Sequence, residues 1–336
     1  MPVVVGYFAN WKIYATPPYN PSDIPLEKLT HINYAFGKLD PSGTVSFSDP
    51  WADIQMDFPG DAANQPVKGC IHQLTTVLKS RNPNIKIILS VGGWTGSGCF
   101  SSVAADPAKR QNFVTSAGEL LIAYHIDGLD IDWEFPVEGG MDTNERSVLD
   151  SKHFNFLLYE LRIHFNQLLT AGRVPHHLEL TIATSASSYI YKHLDLPGLL
   201  PYVDFINLMS YDYSGSWSPT AGHHSALYTP TPSTPDTIST DATIRDYIAR
   251  GVPPNKLVLG IGFYGRGFSG VQSPAFNCPH GGASKAASGE DVYTYDECKA
   301  LVSQNAGWEV IQDGPSASSV LYNRSSATWI GYEDVR

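Results

Sequence analysis

The chain has 336 residues, room for one large domain or two medium ones. Apolar residues make up 42% and charged residues 16%, which permits a sizeable core, and 22 Lys and Arg against 33 Asp and Glu leave a formal charge of −11. An acidic surface of that size repels phosphate backbones and anionic lipids, which excludes nucleic acid and membrane as expected partners and leaves a neutral substrate.

The strand-like runs in chain order are 3–9, 30–36, 85–91, 128–135, 178–184, 205–211 and 257–264. Met1 and Pro2 lead straight into the first of them, with no leader pattern. Three periodic segments between the runs read as helices. Asp106-Pro107 supplies an N-cap and a first-turn proline for a helix over 109–125. A second covers 152–169 and stops near Gly172, and a third covers 241–250 and stops at Gly251. Strands alternating with helices predict a parallel α/β sheet, and seven such strands in about 265 residues fit the spacing of a (β/α)8 TIM-type barrel. After Arg266 the rhythm breaks. Residues 267–328 are rich in Gly, Ser and Ala and read as an inserted α+β subdomain; 329–336 read as a return to the barrel, whose first part is 1–266.

The informative stretch is Asp127-Gly-Leu-Asp130-Ile-Asp132-Trp-Glu134. In a strand, side chains at i, i+2 and i+4 share a face, so Asp130, Asp132 and Glu134 line one side while Leu129, Ile131 and Trp133 line the other. In a barrel the apolar side packs on the helices and the acids point inward, with Glu134 last, at the C-terminal mouth where barrel active sites lie. Crowded, buried carboxyls have raised pKa values and hold protons at neutral pH, as a general acid must. A calcium or magnesium site also needs several oxygens, but its loops are rich in Gly and Asn, unlike this interleaving with Leu, Ile and Trp. Asp127 has the opposite parity and reads as structural. Ser90, on the adjacent run, is placed to hydrogen-bond Asp130. By the same alternation Tyr7 points inward on the first run, and Met209 and Tyr211 share the inward face of the sixth.

At this point the sequence resembles the family 18 chitinases, whose signature Asp-x-x-Asp-x-Asp-x-Glu on the fourth barrel strand is complete here as DGLDIDWE. Asn33-Tyr-Ala-Phe36, Ser90-Val-Gly92-Gly93-Trp94, Met209-Ser-Tyr211-Asp212, Gly215-Ser-Trp217 with Gly222-His-His-Ser, and Tyr264-Gly-Arg266 are similar to further family motifs in the same order. The resemblance implies an endo-acting, retaining hydrolase of β-1,4-N-acetylglucosamine linkages that uses the substrate's own acetamide as nucleophile. On that footing Glu134 protonates the leaving oxygen and Asp132 orients the acetamido N–H. Asp130 tunes Asp132 by sharing a proton, and Tyr211 holds the acetamido oxygen. Tyr7, Phe36, Gly93, Trp94, Met209, Asp212, Trp217 and Arg266 contact sugar, and Trp11 joins Trp94 and Trp217 as a stacking surface near the mouth. No cofactor and no metal are implied, and chitin or its oligomers are the partner of a secreted monomer.

The family's helix and eighth strand, the latter bearing a tryptophan, have no counterpart before Arg336, so the chain reads as a barrel truncated before its last strand. Two other functions compete: a chitin-binding, lectin-like protein inactive through truncation, and an endo-β-N-acetylglucosaminidase acting on N-glycans. The four cysteines contain no Cys-x-x-Cys pair, and Cys70–Cys99 with Cys278–Cys298 is the favoured disulfide pairing. Gly260-Ile-Gly262-Phe-Tyr-Gly265 spells a dinucleotide-binding pattern but precedes no helix. Asn323-Arg-Ser325 is a lone glycosylation sequon.

Overall fold

A computed structural model describes residues 2–62, 65–234, 237–304 and 306–334. The chain forms two compact units interleaved in sequence: 1–184, 192–207 and 252–258 make the first, and 185–191, 208–251 and 259–336 the second.

The parallel sheet begins with β1 (Val5–Ala9), β2 (His31–Leu39), a short β3 (Val45–Phe47), β4 (Lys86–Gly92), β5 (Gly128–Asp132) and β6 (Glu179–Ser185), and continues through β7 (Ile206–Met209) and β8 (Leu257–Leu259). Its path is β1-β2-β4-β5-β6-β7-β8, with β3 folded back antiparallel on β2. The pairs β1/β2, β2/β4, β4/β5 and β5/β6 are all parallel. Among the described residues this is the strand succession of a (β/α) barrel with seven strands and no pairing between β8 and β1, as the sequence predicts.

The alternation in β5 resolves as expected. Leu129, Ile131 and Trp133 are buried on the helix side, where the Trp133 indole stacks on Phe100 at 5.4 Å and meets the edge of Phe154. The opposing helix Asp150–Thr170 buries Phe154, Leu157, Leu158, Leu161, Phe165 and Leu168, a stripe at helical spacing. Helix Pro107–Tyr124 is capped by the Asp106 carboxylate, which accepts from Ala108 N at 2.8 Å, and it ends on His125 in the left-handed region. Asp127 is structural, as its parity foretells: it accepts from Ile87 N at 2.7 Å, from Lys79 and from His176.

In the second unit, an antiparallel sheet runs β10 (Val292–Thr294), β9 (Tyr264–Phe268), β13 (Thr328–Tyr332), β12 (Ser318–Asn323), β11 (Trp308–Asp313). Two readings of the sequence are corrected here. Thr328–Tyr332 does not rejoin the barrel: β13 pairs with β12 and β9. Likewise Tyr264-Gly-Arg266 lies on β9, and the seventh barrel strand is only Leu257–Leu259. The reason is the two-sided burial of Thr-Trp-Ile-Gly-Tyr. Trp329 packs with Phe268, Val320 and Tyr322 on one face, while Ile330 and Tyr332 pack with Leu321, Tyr293 and Cys298 on the other. The same division overturns the expected disulfides. Cys278 belongs to the first of those clusters and Cys298 to the second, and all four cysteines are free thiols. Burial pushes the Cys70 and Cys298 thiols up to about 12, which keeps them unreactive.

The glycine pattern at 260–265 leads into β9, not a helix, which removes its dinucleotide reading. The Asn323 side chain is buried and fully engaged, donating to Ala306 O and accepting from Ser325, so the sequon serves a turn. Among the described residues no helix is long and apolar enough to cross a membrane.

Candidate active site

The first unit carries the acidic ladder. Register sets its first rung, because Ser90 on β4 and Thr181 on β6 are the direct neighbours of Asp130 on β5. Both donate to its carboxylate, Ser90 at 2.7 Å and Thr181 at 2.6 Å. Tyr7 on β1 adds a third donor at 2.9 Å and Asn207 on β7 a fourth at 3.1 Å. Asp130 is fully buried, and burial raises its pKa, but all four hydrogen bonds work against that rise and favour the anion.

Asp132, the next rung, is built the other way. Its carboxyl is held well above the ordinary range, first by burial and then by the charges of Glu134 and Asp130. Its Oδ1 is buried with no hydrogen-bond partner among the described residues. A saturated Asp130 beside an under-bonded Asp132 makes ionisation harder at Asp132 than at Asp130.

Glu134 lies two residues beyond the end of β5 and is half-buried. Two loop side chains fix its backbone. Its N–H donates to Ser97 Oγ at 2.9 Å, and its carbonyl accepts from Asn144 Nδ2 at 2.9 Å. Ser97 in turn donates to Gly93 O, and Gly93 N donates to Asp132 O at 2.8 Å. The Gly92-Gly93 corner requires glycine at both positions. Each has positive φ (116° and 79°), and a Cβ on Gly92 would sit 2.2 Å from Asp132 O. A Cβ on Gly93 would sit 2.8 Å from the Phe36 ring, which itself stacks on Trp11 at 6.0 Å. Trp11 and Trp94 are each about half exposed.

The second unit carries the remaining expected residues. β7 ends at Met209, which is half-buried, and Tyr211 follows outside the strand with its ring edge-on to Tyr264 at 6.1 Å. Asp212 sits in the left-handed region at φ 57°, tolerable for Asp and held by an ion pair from Arg266 Nε at 2.8 Å. Arg266 also pairs with Asp291 at 3.1 Å and lies 5.0 Å over the Trp217 ring and 5.6 Å over Tyr264. Those bonds engage Arg266 Nε and Nη1. His224 packs against Tyr264 at 4.9 Å, and burial pulls its imidazole down to about 4.

The family model for glycosyl hydrolases family 18 matches residues 3–336. The chain is a family 18 glycosyl hydrolase. It is 36% identical to chitinase A1 of Niallia circulans over 98% of its own length and 52% of that protein's, so it spans about half of that relative. It is 35% identical to endochitinase 1 of Metarhizium robertsii over 97% of this chain and 74% of the relative. Among solved structures, chitinase ChiA74 from Bacillus thuringiensis superposes with a TM-score of 0.90 at 30% identity, covering 99% of this chain and 62% of that one. A group IV chitinase of Ostrinia furnacalis in complex with allosamidin superposes at 0.87 and 30% identity, covering 100% and 86%.

Within this family 18 chain, sequence reasoning placed the three acids, Ser90 and the inward Tyr7, but missed Thr181, Asn207, Ser97 and Asn144. Parity offered a route to the first two, since each shares the inward face of its strand. Ser97 and Asn144 sit in loops and left no periodic trace.

Proposed function

We propose that the chain is an endo-acting, retaining chitinase that cleaves β-1,4 linkages between N-acetylglucosamine units. The observation that carries this reading is the Asp132 carboxyl: its pKa is pushed well up by burial and by the charges of Glu134 and Asp130, and one of its buried oxygens is unengaged among the described residues. A hydrolase with two protein carboxylates needs an ionised nucleophile, whereas a carboxyl that resists ionisation and has an oxygen to spare suits the reception of a substrate N–H.

In the proposed reaction Glu134 donates its proton to the glycosidic oxygen as the bond to the anomeric carbon breaks. The acetamido carbonyl oxygen of the same sugar attacks that carbon from the opposite face, giving an oxazolinium ion. Asp132 accepts a hydrogen bond from the acetamido N–H, which orients the group and faces the positive charge that develops on it, with no proton leaving Asp132; Tyr211 donates to the acetamido oxygen. Glu134, now a carboxylate, takes a proton from the incoming water, which reopens the ring with net retention. Trp11, Trp94 and Trp217 supply stacking faces, with Phe36 behind Trp11 and the Gly93 corner beneath it. Chitin is insoluble, so the same reading places the protein outside the cell.

The test is Glu134→Gln. Hydrolysis of a chromogenic chitooligosaccharide should fall at least about 1,000-fold with affinity changed only a few-fold. Turnover within about tenfold of the parent overturns the assignment. Glycan release from a high-mannose glycoprotein without cleavage of chitin oligomers moves the substrate to N-glycans instead.

A further inference from the structure

Asp291 has no part in the reaction proposed above, yet it holds a half-buried charge pair with Arg266 beside residues that do. We infer that Asp291 is a positioning residue: through Arg266 it sets the plane of the exposed Trp217 ring. The inference rests on the reading of Trp217 as a sugar-stacking face.

Trp217 is 60% exposed and sits on a loop, where an indole is ordinarily free to turn. Here it is pressed from two directions. A Cβ added to Gly215 would come within 2.3 Å of the ring, so the ring lies directly on that glycine's backbone. The Arg266 guanidinium lies 5.0 Å from its centroid. A planar cation holds a ring in place only if its own plane is fixed, and one carboxylate leaves it free to pivot. Arg266 has two, on different nitrogens: Asp212 Oδ1 on Nε at 2.8 Å and Asp291 Oδ1 on Nη1 at 3.1 Å.

Asp291 is itself anchored, since its carbonyl accepts from Gly267 N, the residue after Arg266, at 3.0 Å. Its other carboxylate oxygen, Oδ2, is buried with no partner among the described residues. An arrangement that leaves one oxygen unbonded does little for stability on its own account. Its effect falls on Arg266. Asp291 comes from the segment between β9 and β10, so the antiparallel unit contributes to the stacking face through a side chain that never meets sugar.

A tryptophan fixed before binding loses less freedom when a sugar lands on it, so the consequence is affinity, not chemistry. Asp291→Ala should raise KM for chitopentaose about three- to tenfold with kcat within about twofold. Asp291→Asn, which keeps an acceptor for Nη1, should recover most of that loss. Combined with Trp217→Ala, Asp291→Ala should add nothing to the effect of the tryptophan change alone, because the two act through one ring. Additive effects, or an unchanged KM in Asp291→Ala, overturn the inference.

A second measurement does not depend on activity. Subtracting the emission of Trp217→Phe from that of the parent isolates Trp217, and acrylamide quenching of that component should rise in both Asp291→Ala and Arg266→Lys. Quenching that does not change in either variant rejects the clamp. A parent protein that cleaves no chitooligosaccharide sinks the chitinase reading but leaves the clamp to be judged by quenching.

Discussion

At the scale of single residues, two carboxyls of identical chemistry are driven apart by their partners. Asp130 receives four donors; Asp132, one rung on, has an oxygen with none. The raised Asp132 pKa has a stability consequence whose sign is fixed. Its folded pKa lies above the unfolded value, so folding is undisturbed below the unfolded pKa and is penalised as pH rises and the buried group is forced to ionise. Asp132→Asn should therefore raise the melting temperature at pH 8, with the gain vanishing near pH 4, while hydrolysis is lost. A variant less stable than the parent at pH 8 contradicts this account. How much of this was legible follows from what each residue depends on. The acids were readable because a period of two assigns them a face. The donors on Asp130 depend on register between strands up to 123 positions apart, which no local pattern encodes.

At the scale of elements, the chain writes its helices more openly than its strands. The cap at Asp106, the stop at His125 and the glycines 172 and 251 punctuate helices whose observed ends lie within two residues of expectation. Strand ends are set by what comes next, and β5 stops at Asp132 because the following residues are bonded to loops. The Gly92-Gly93 corner shows how tight that environment is. Gly93→Ala forces a Cβ against Phe36 in a backbone region L-residues rarely adopt, and should cost about 1–3 kcal/mol in chemical denaturation. It should also weaken oligosaccharide binding by displacing Phe36 and Trp11, and unchanged stability would show that the corner relaxes freely. β13 was misread for a related reason. Five apolar-rich residues look alike whether they close a barrel or bisect an antiparallel sheet, and only their partners on β9 and β12 decide.

At the scale of the whole molecule, the succession of strands and the family were readable from motif order, whereas the division into units was not. That division runs through β7 between Asn207 and Leu208, and through β8 between Val258 and Leu259. Strands shared in this way cannot melt with one unit and stay with the other, so calorimetry should record one cooperative transition. Two resolved peaks would show the units to be independent. The interleaving has a further effect on how such a chain can be altered. The chain crosses from one unit to the other five times, at 184/185, 191/192, 207/208, 251/252 and 258/259. Neither unit is therefore a contiguous cassette. Shortening the chain back from residue 336 strips the second unit first and then reaches β8, and no single crossover in recombination can exchange one unit for a homologue's while leaving the other whole.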